Sequence, residues 1–252
     1  MKRLARFLRE WNDVRTDVGP RRRSRRSRWP LATAALIAGG NLLLAGGCAA
    51  FGIVGAMGQS FETQKLIEVA PLYRGLEGQT VAVVVNVGLD ISWNSPQLGA
   101  NVATVVSQKI LENVNGVSVL DPRGIQAWQY RTPQWDAMAY GEIAEALNAD
   151  RIVYVDVYEY RLNPPGNRFL WDGAVGATVG IIEADGFDND SFIDTFEVNV
   201  RFPDIEGITR EDVAESAIAQ GLTSKFITRV AWLFYKHEEP KYPDLYKPEL
   251  DQ

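Results

Sequence analysis

From Thr80 onward the apolar positions follow two alternating periods, and these predict the elements. Thr80 to Val87 is an unbroken Val-rich run, apolar on both faces, which predicts a central strand buried on both sides. Gly88 to Asn94 reads as a loop. Ser95 as N-cap and Pro96 at the first helical position predict a helix to about Val114. Leu98, Val102, Val105/Val106 and Ile110 line one of its faces, and Asn115-Gly116 stops it. Val117 to Leu120 is a second strand, followed by an Asp121-Pro122 turn or cap and a short helix over 123–130. Thr132-Pro133 opens a further helix that ends near Leu147.

Arg151 to Leu162 alternates, with Val153, Val155 and Val157 on one side and Tyr154, Asp156, Tyr158 and Tyr160 on the other, the period of a strand. Asn163-Pro164-Pro165-Gly166-Asn167 predicts a hairpin loop. Arg168 to Ala184 and Phe192 to Phe202 are the next strands, joined by a turn over 185–190. Thr209 and Asp212 have capping-box spacing, and Ile218, Leu222, Phe226, Val230 and Phe234 form one helical stripe to about Tyr235. The order β-α-β-α-β-β-β-α predicts an α/β (α+β) fold with one mixed sheet, helices packed on it, and a single domain over 79–236. Ser60 to Gly78 reads as helical and then turn-like, within a tether over 48–78. Residues 237–252, rich in Pro, Tyr and acids, read as a tail that wraps the surface or is disordered.

The segment ahead of the tether has a different character. Residues 1–30 are basic and end in the Arg21–Arg28 block, Leu31 to Ala45 is almost wholly apolar, and small residues precede Cys48, the only cysteine. Basic, apolar and small-residue regions in that order are an export signal over 1–47. Ala45-Gly46-Gly47-Cys48, with Leu44 before it, resembles a bacterial lipoprotein signal. That resemblance implies thioether lipidation of Cys48, cleavage before it and acylation of the new amine. Ala49 in the next position implies the periplasmic face of the outer membrane. Two or more acyl chains hold a protein firmly where one does not. The competing reading is an uncleaved apolar segment serving as the membrane anchor, with the Arg block as its cytoplasmic flank. Either reading puts the globular part outside the cytoplasm.

Three short stretches carry a second resemblance: Val81 to Val85, Val119-Leu120-Asp121-Pro122, and Leu147-Asn148-Ala149-Asp150 ahead of Ile152 to Val157, with Asn148 where Gly is usual. They are similar to an envelope group that includes the curli-secretion-channel lipoprotein, the lipoprotein activators of penicillin-binding proteins and the amino-terminal domain of TolB. The resemblance spans residues 79–202 and implies a mixed α/β domain with an assembly role in the envelope.

Charge narrows the partners. Eleven Lys/Arg and three acids fall within residues 1–47, leaving 15 bases against 29 acids over 48–252, a net −14. Such an acidic domain repels phosphate backbones and anionic lipid, so nucleic acid is not expected. Chemistry is sparse. The single histidine, His237, beyond the last helix beside Glu238-Glu239, reads as an exposed bystander, so Ser-His-Asp and Cys-His systems and zinc sites lack ligands. No phosphate loop occurs and no cofactor is expected. Asp185, Asp188, Asp190 and Asp194 crowd one turn and are the candidate oxygen ligands for a cation, although their spacing is not that of an EF-hand loop. Asp156 and Glu159 are the candidate acid–base pair for an anchored carboxylate hydrolase. Trp93, Trp128, Tyr130, Trp135 and Tyr140 read as one aromatic group, with Trp93, Trp128, Trp135 and Tyr158 as candidate partner surface. The expectation is a non-catalytic envelope lipoprotein that binds another envelope protein or assembles with itself. An anchored hydrolase, or an ion- or small-molecule-binding module, stands as the alternative.

Overall fold

A computed structural model describes residues 65–242, and Cys48, the expected export signal over 1–47 and the end of the expected tail lie outside them. The described residues fall within one compact unit, an α+β domain in which helices cover both faces of a five-stranded mixed sheet. The strands are β1 (Leu66–Val69), β2 (Thr80–Val87), β3 (Ser118–Val119), β4 (Arg151–Arg161), β5 (Gly173–Glu183), β6 (Asp194–Phe202) and β7 (His237–Pro240). The helices are α1 (Leu89–Asn94), α2 (Leu98–Asn113), α3 (Pro122–Arg131), α4 (Tyr140–Leu147) and α5 (Glu215–Ala231), with a 3-10 turn at Trp135–Ala137.

The main sheet runs β3-β2-β4-β5-β6, parallel from β3 to β4 and antiparallel from β4 to β6. The valine run explains why β2 lies inside. Val81, Val83 and Val85 face the layer of α2 and α5, while Ala82 and Val84 face the layer of α3 and α4. Only a strand with neighbours on both edges and helices on both faces can bury such a run. Phe226, Leu222 and Val230 seat α5 on β5 and β6 through the expected stripe.

Local signals account for several boundaries. Asp121 caps α3 by accepting from the Arg123 N–H at 3.1 Å, with Pro122 at the first position. Asn148 ends α4 in the left-handed region at φ 51°, where Gly or Asn is favoured. A bulge between Val157 and Glu159 shifts the register of β4 against β5.

Other boundaries differ from expectation. The loop over 88–94 is the helix α1, closed by Ser92 Oγ on the Gly88 and Val87 carbonyls and by Asn94 Nδ2 on the Asp90 carbonyl. Ser95 therefore ends α1 instead of capping α2, which starts at Leu98. Thr132-Pro133 does not open α4; the 3-10 turn intervenes. The Thr209/Asp212 box closes on itself, with Thr209 N–H and Oγ1 both donating to Asp212 Oδ2, but it stands ahead of α5, which starts at Glu215.

The tether and tail boundaries move most. Leu66–Val69 and His237–Pro240 pair antiparallel as a separate two-stranded sheet, from Leu66 opposite Pro240 to Val69 opposite His237. The chain between β1 and β2 is fastened as well. Tyr73 donates its N–H to the Leu233 carbonyl at 3.0 Å and its hydroxyl to Glu183 at 2.7 Å, and its ring meets Phe234 edge-on. No helix among the described residues is long and apolar enough to cross a membrane.

Candidate functional site

The acidic turn resolves into structural work. Asp185 pairs with the Arg151 guanidinium, whose side chain is 9% exposed, and this contact holds the Asp185 carboxyl below its ordinary range. Asp188 accepts from Ser191 Oγ at 2.9 Å and from the Asp190 N–H at 3.2 Å. Asp190 turns the other way and accepts from the Gly141 N–H at 2.9 Å, at the start of α4. Asp194 is exposed at the head of β6. Their oxygens thus diverge toward four different partners or solvent. Among the described residues no group of three or more His, Cys, Asp or Glu side chains is placed to hold a metal ion.

Asp156 and Glu159 are both half-buried on β4, and both are engaged. Asn86 Nδ2 donates to Asp156 at 2.9 Å, and Arg161 Nε donates to Glu159 at 2.8 Å. Arg161 in turn binds the Asp172 carbonyl at 2.8 Å, which ties the hairpin loop to the end of β4. Burial, followed by the Asp156 charge, pushes the Tyr154 hydroxyl well above its ordinary range.

The aromatic group divides in two. Trp128, Trp135, Tyr154, Tyr140 and Phe192 pack in series, with centroid separations of 6.3 Å for Trp128–Trp135, 6.1 Å for Trp135–Tyr154 and 4.5 Å for the stacked Tyr140–Phe192 pair. This cluster fixes α3, α4 and the turn before β6 onto the sheet, so Trp128 and Trp135 pack against it and keep only part of their surface exposed. Trp93 and Tyr130 stand apart at 85% and 91% exposure. Trp93 lies on α1 four residues after Leu89, which is 82% exposed, so both project from one face of the helix. Ile91 anchors the opposite face in the core. Tyr130 lies in the last turn of α3, beside the same end of β2, where Gln129 Nε2 donates to the Val85 carbonyl at 3.2 Å. Tyr158 is half-exposed on the sheet surface and donates to Asn199 and Glu197 at 3.0 and 3.1 Å.

His237 is not an exposed bystander. Its side chain is 8% exposed, stacked on Trp232 at 4.3 Å and 6°, with Nε2 3.3 Å from Glu239 and Nδ1 3.1 Å from the Tyr235 carbonyl. Sequence reasoning missed this because the stacking depends on β7 folding back onto the end of α5. A groove of about 480 Å³ between α2 and α5 holds Tyr160, whose hydroxyl is 3.2 Å from Thr223 Oγ1. A second, of about 420 Å³, runs between β6, α5 and the β1–β7 pair.

No family model matches the chain, and no curated protein matches it. Among solved structures it is similar to the PelC dodecamer from Paraburkholderia phytofirmans, at TM-score 0.40 and 13% identity over 68% of this chain and 97% of that one. It is similar to the lipoprotein GNA1162 from Neisseria meningitidis at TM-score 0.39 and 11% identity, over 60% and 97% of the two chains. Protein XCC0632 from Xanthomonas campestris matches at TM-score 0.39 and 9% identity, over 64% and 84%. These structural neighbours thus include a bacterial lipoprotein. At such identities and TM-scores the likeness carries neither function nor assembly over to this chain.

Proposed function

We propose that this chain is a lipid-anchored protein of the bacterial envelope whose domain docks another envelope protein and performs no catalysis. The anchor is a diacylglyceryl group on Cys48 and the address is the periplasmic face of the outer membrane. This part rests on the order of basic, apolar and small residues ahead of that cysteine. The docking part rests on one observation: Leu89 and Trp93 stand together on α1, more than four-fifths exposed, while Trp128 and Trp135 are half-buried against the sheet. A helix that buries Ile91 and presents a Leu–Trp pair to solvent leaves an apolar anchor ready for a partner's pocket. The engagement of Asp156 and Glu159 by Asn86 and Arg161 supports a binding role over a hydrolytic one.

Two measurements test the proposal. Mass spectrometry of the membrane-extracted amino terminus should give a chain beginning at an acylated Cys48; an intact Arg-rich leader without acyl mass defeats the anchor. A photo-cross-linker in place of Trp93 in intact cells should trap one discrete envelope protein. If it traps nothing beyond what a cross-linker at Phe187 traps, the docking role fails.

A further inference from the structure

The two edges of the main sheet are finished differently. At one, β3 is only two residues long and α3 carries on beside β2, with Gln129 bonding the Val85 carbonyl. At the other, β6 runs for nine residues in unbroken register with β5, from Phe202 opposite Gly173 to Asp194 opposite Ile181. It contains no proline, no lysine and no bulge. Among the described residues no strand pairs with its other side, which borders the 420 Å³ groove roofed by Lys225 and Arg229 of α5 and Trp232 just past it, and walled beyond by Val69 and His237 of the β1–β7 pair. Natural sheets blunt exposed edges with short strands, Pro, Lys or bulges, because an open row of N–H and C=O groups templates another strand. β6 carries charges at Asp194, Glu197 and Arg201, but no proline, lysine or bulge interrupts its row of backbone groups. Lys225 of α5 reaches over from outside and donates to the Arg201 carbonyl at 3.1 Å.

The residues of β6 also say what fits. Alternation puts Thr195, Glu197, Asn199 and Arg201 on the exposed face, and Phe196, Val198, Val200 and Phe202 on the face toward α5. Antiparallel pairing of two copies about a two-fold axis through Asn199 sets Glu197 opposite Arg201 twice. On the other face the same register sets Val198 opposite Val200 and Phe196 opposite Phe202, each twice. An axis through Val198 sets Glu197 opposite Asn199 and Arg201 opposite Thr195. An axis through Val200 sets Arg201 opposite Asn199 and Glu197 opposite Pro203. Neither joins opposite charges, and a slip of one residue would exchange the two faces. The strand is self-complementary in a single register, as a closed two-fold interface requires.

We infer that β6 is the edge on which a second copy of this chain adds, through residues 196–202 of each, to make one sheet continuous across both copies. Arg201 is 74% exposed, with only a 3.9 Å contact to Asp172, so its guanidinium is available to the second copy's Glu197. Pairing hands the Arg201 carbonyl to the second copy's Glu197 N–H and leaves Lys225 with Asp204. This goes beyond docking at α1 and uses none of its residues.

The test uses the full chain extracted from membranes in mild detergent, carrying Asn199→Cys. The axis brings the two new thiols onto one hydrogen-bonded residue pair, with Cα atoms roughly 5.5 Å apart, within disulfide reach. Mild oxidation should give a covalent dimer at least about tenfold faster than for Thr195→Cys, because paired thiols reach millimolar effective concentration. The unsubstituted chain reports any link through Cys48. Light scattering should find the wild type dimeric and Arg201→Glu monomeric, with circular dichroism checking that the variant folds. Equal cross-linking of the two cysteine variants, or a monomeric wild type, overturns the inference. A monomer that is lipidated and trapped through Trp93 leaves the proposed function standing, and a dimer without acyl mass does the reverse.

Discussion

Tyr158 lies across the bare Cα of Gly176. Its ring crosses β5 from β4 to β6, where the hydroxyl meets Asn199 at 3.0 Å and Glu197 at 3.1 Å. A methyl group on Gly176 would fall 2.5 Å from the ring, inside van der Waals contact. Gly176→Ala therefore displaces Tyr158 and should cost about 1–3 kcal/mol by overpacking. Tyr158→Phe loses the hydroxyl and keeps the crossing, so its effect on Tm should be smaller. Urea denaturation of both variants checks the order; a Gly176→Ala protein as stable as wild type refutes it.

The two sorts of tryptophan predict opposite phenotypes. Trp135 touches Trp128 and Tyr154, so Trp135→Ala should destabilise by about 2 kcal/mol, discounted from full core truncation for its partial exposure. Trp93→Ala should leave stability within about 0.5 kcal/mol, since the residue is 85% exposed, while it weakens trapping of the partner by a photo-cross-linker placed at Leu89. Denaturation curves and cross-linking on the same variants separate the two.

Asp185 gives stability an acid dependence. The Arg151 contact lowers its pKa in the folded state below 3.8, so the unfolded chain binds the proton more readily. The contribution is present at neutral pH and is lost as pH falls from 3.8 through the lowered value. Asp185→Asn should flatten the fall in Tm over that window and change little of the shape above pH 5. A Tm–pH curve parallel to wild type below pH 4 counts against the pairing.

Tyr73 gives the opposite limb. Burial, and then the hydrogen bond to Glu183, raise its hydroxyl pKa above 10.0 in the folded state. Its contribution is complete below pH 10 and is lost as pH rises through the raised value. Tyr73→Phe should cost about 1 kcal/mol at neutral pH from the lost hydrogen bond, and should soften alkaline unfolding. Thermal melts from pH 8 to pH 11 check both effects.

Much of the framework was legible because it is written in local periods. The Thr80–Val87 run, the alternation of Arg151–Arg161 and the Leu222–Phe226–Val230 stripe each state which face is buried. They yielded the chain order β-α-β-α-β-β-β-α once the loop signals at Asp121-Pro122 and Asn163–Asn167 were added, but not the order of the strands within the sheet. The binding surface was less legible. Trp93 and Trp128 are the same residue type in similar polar surroundings. Only the packing of α3, α4 and Phe192 over Tyr154 separates a core ring from an exposed one.

The sequence by itself determined the anchor motif ahead of Cys48 as an expectation, the acidic balance of the domain, and the type and order of its main elements. Each depends on neighbours a few positions apart, where period and capping act. Tertiary structure alone decided that Leu66–Val69 pairs with His237–Pro240, that Arg151 gathers Glu183 and Asp185, and that β6 is the last strand of the sheet among the described residues. Those relations join residues far apart along the chain. Hydrophobic patterning states that a face must be buried but not which distant segment buries it.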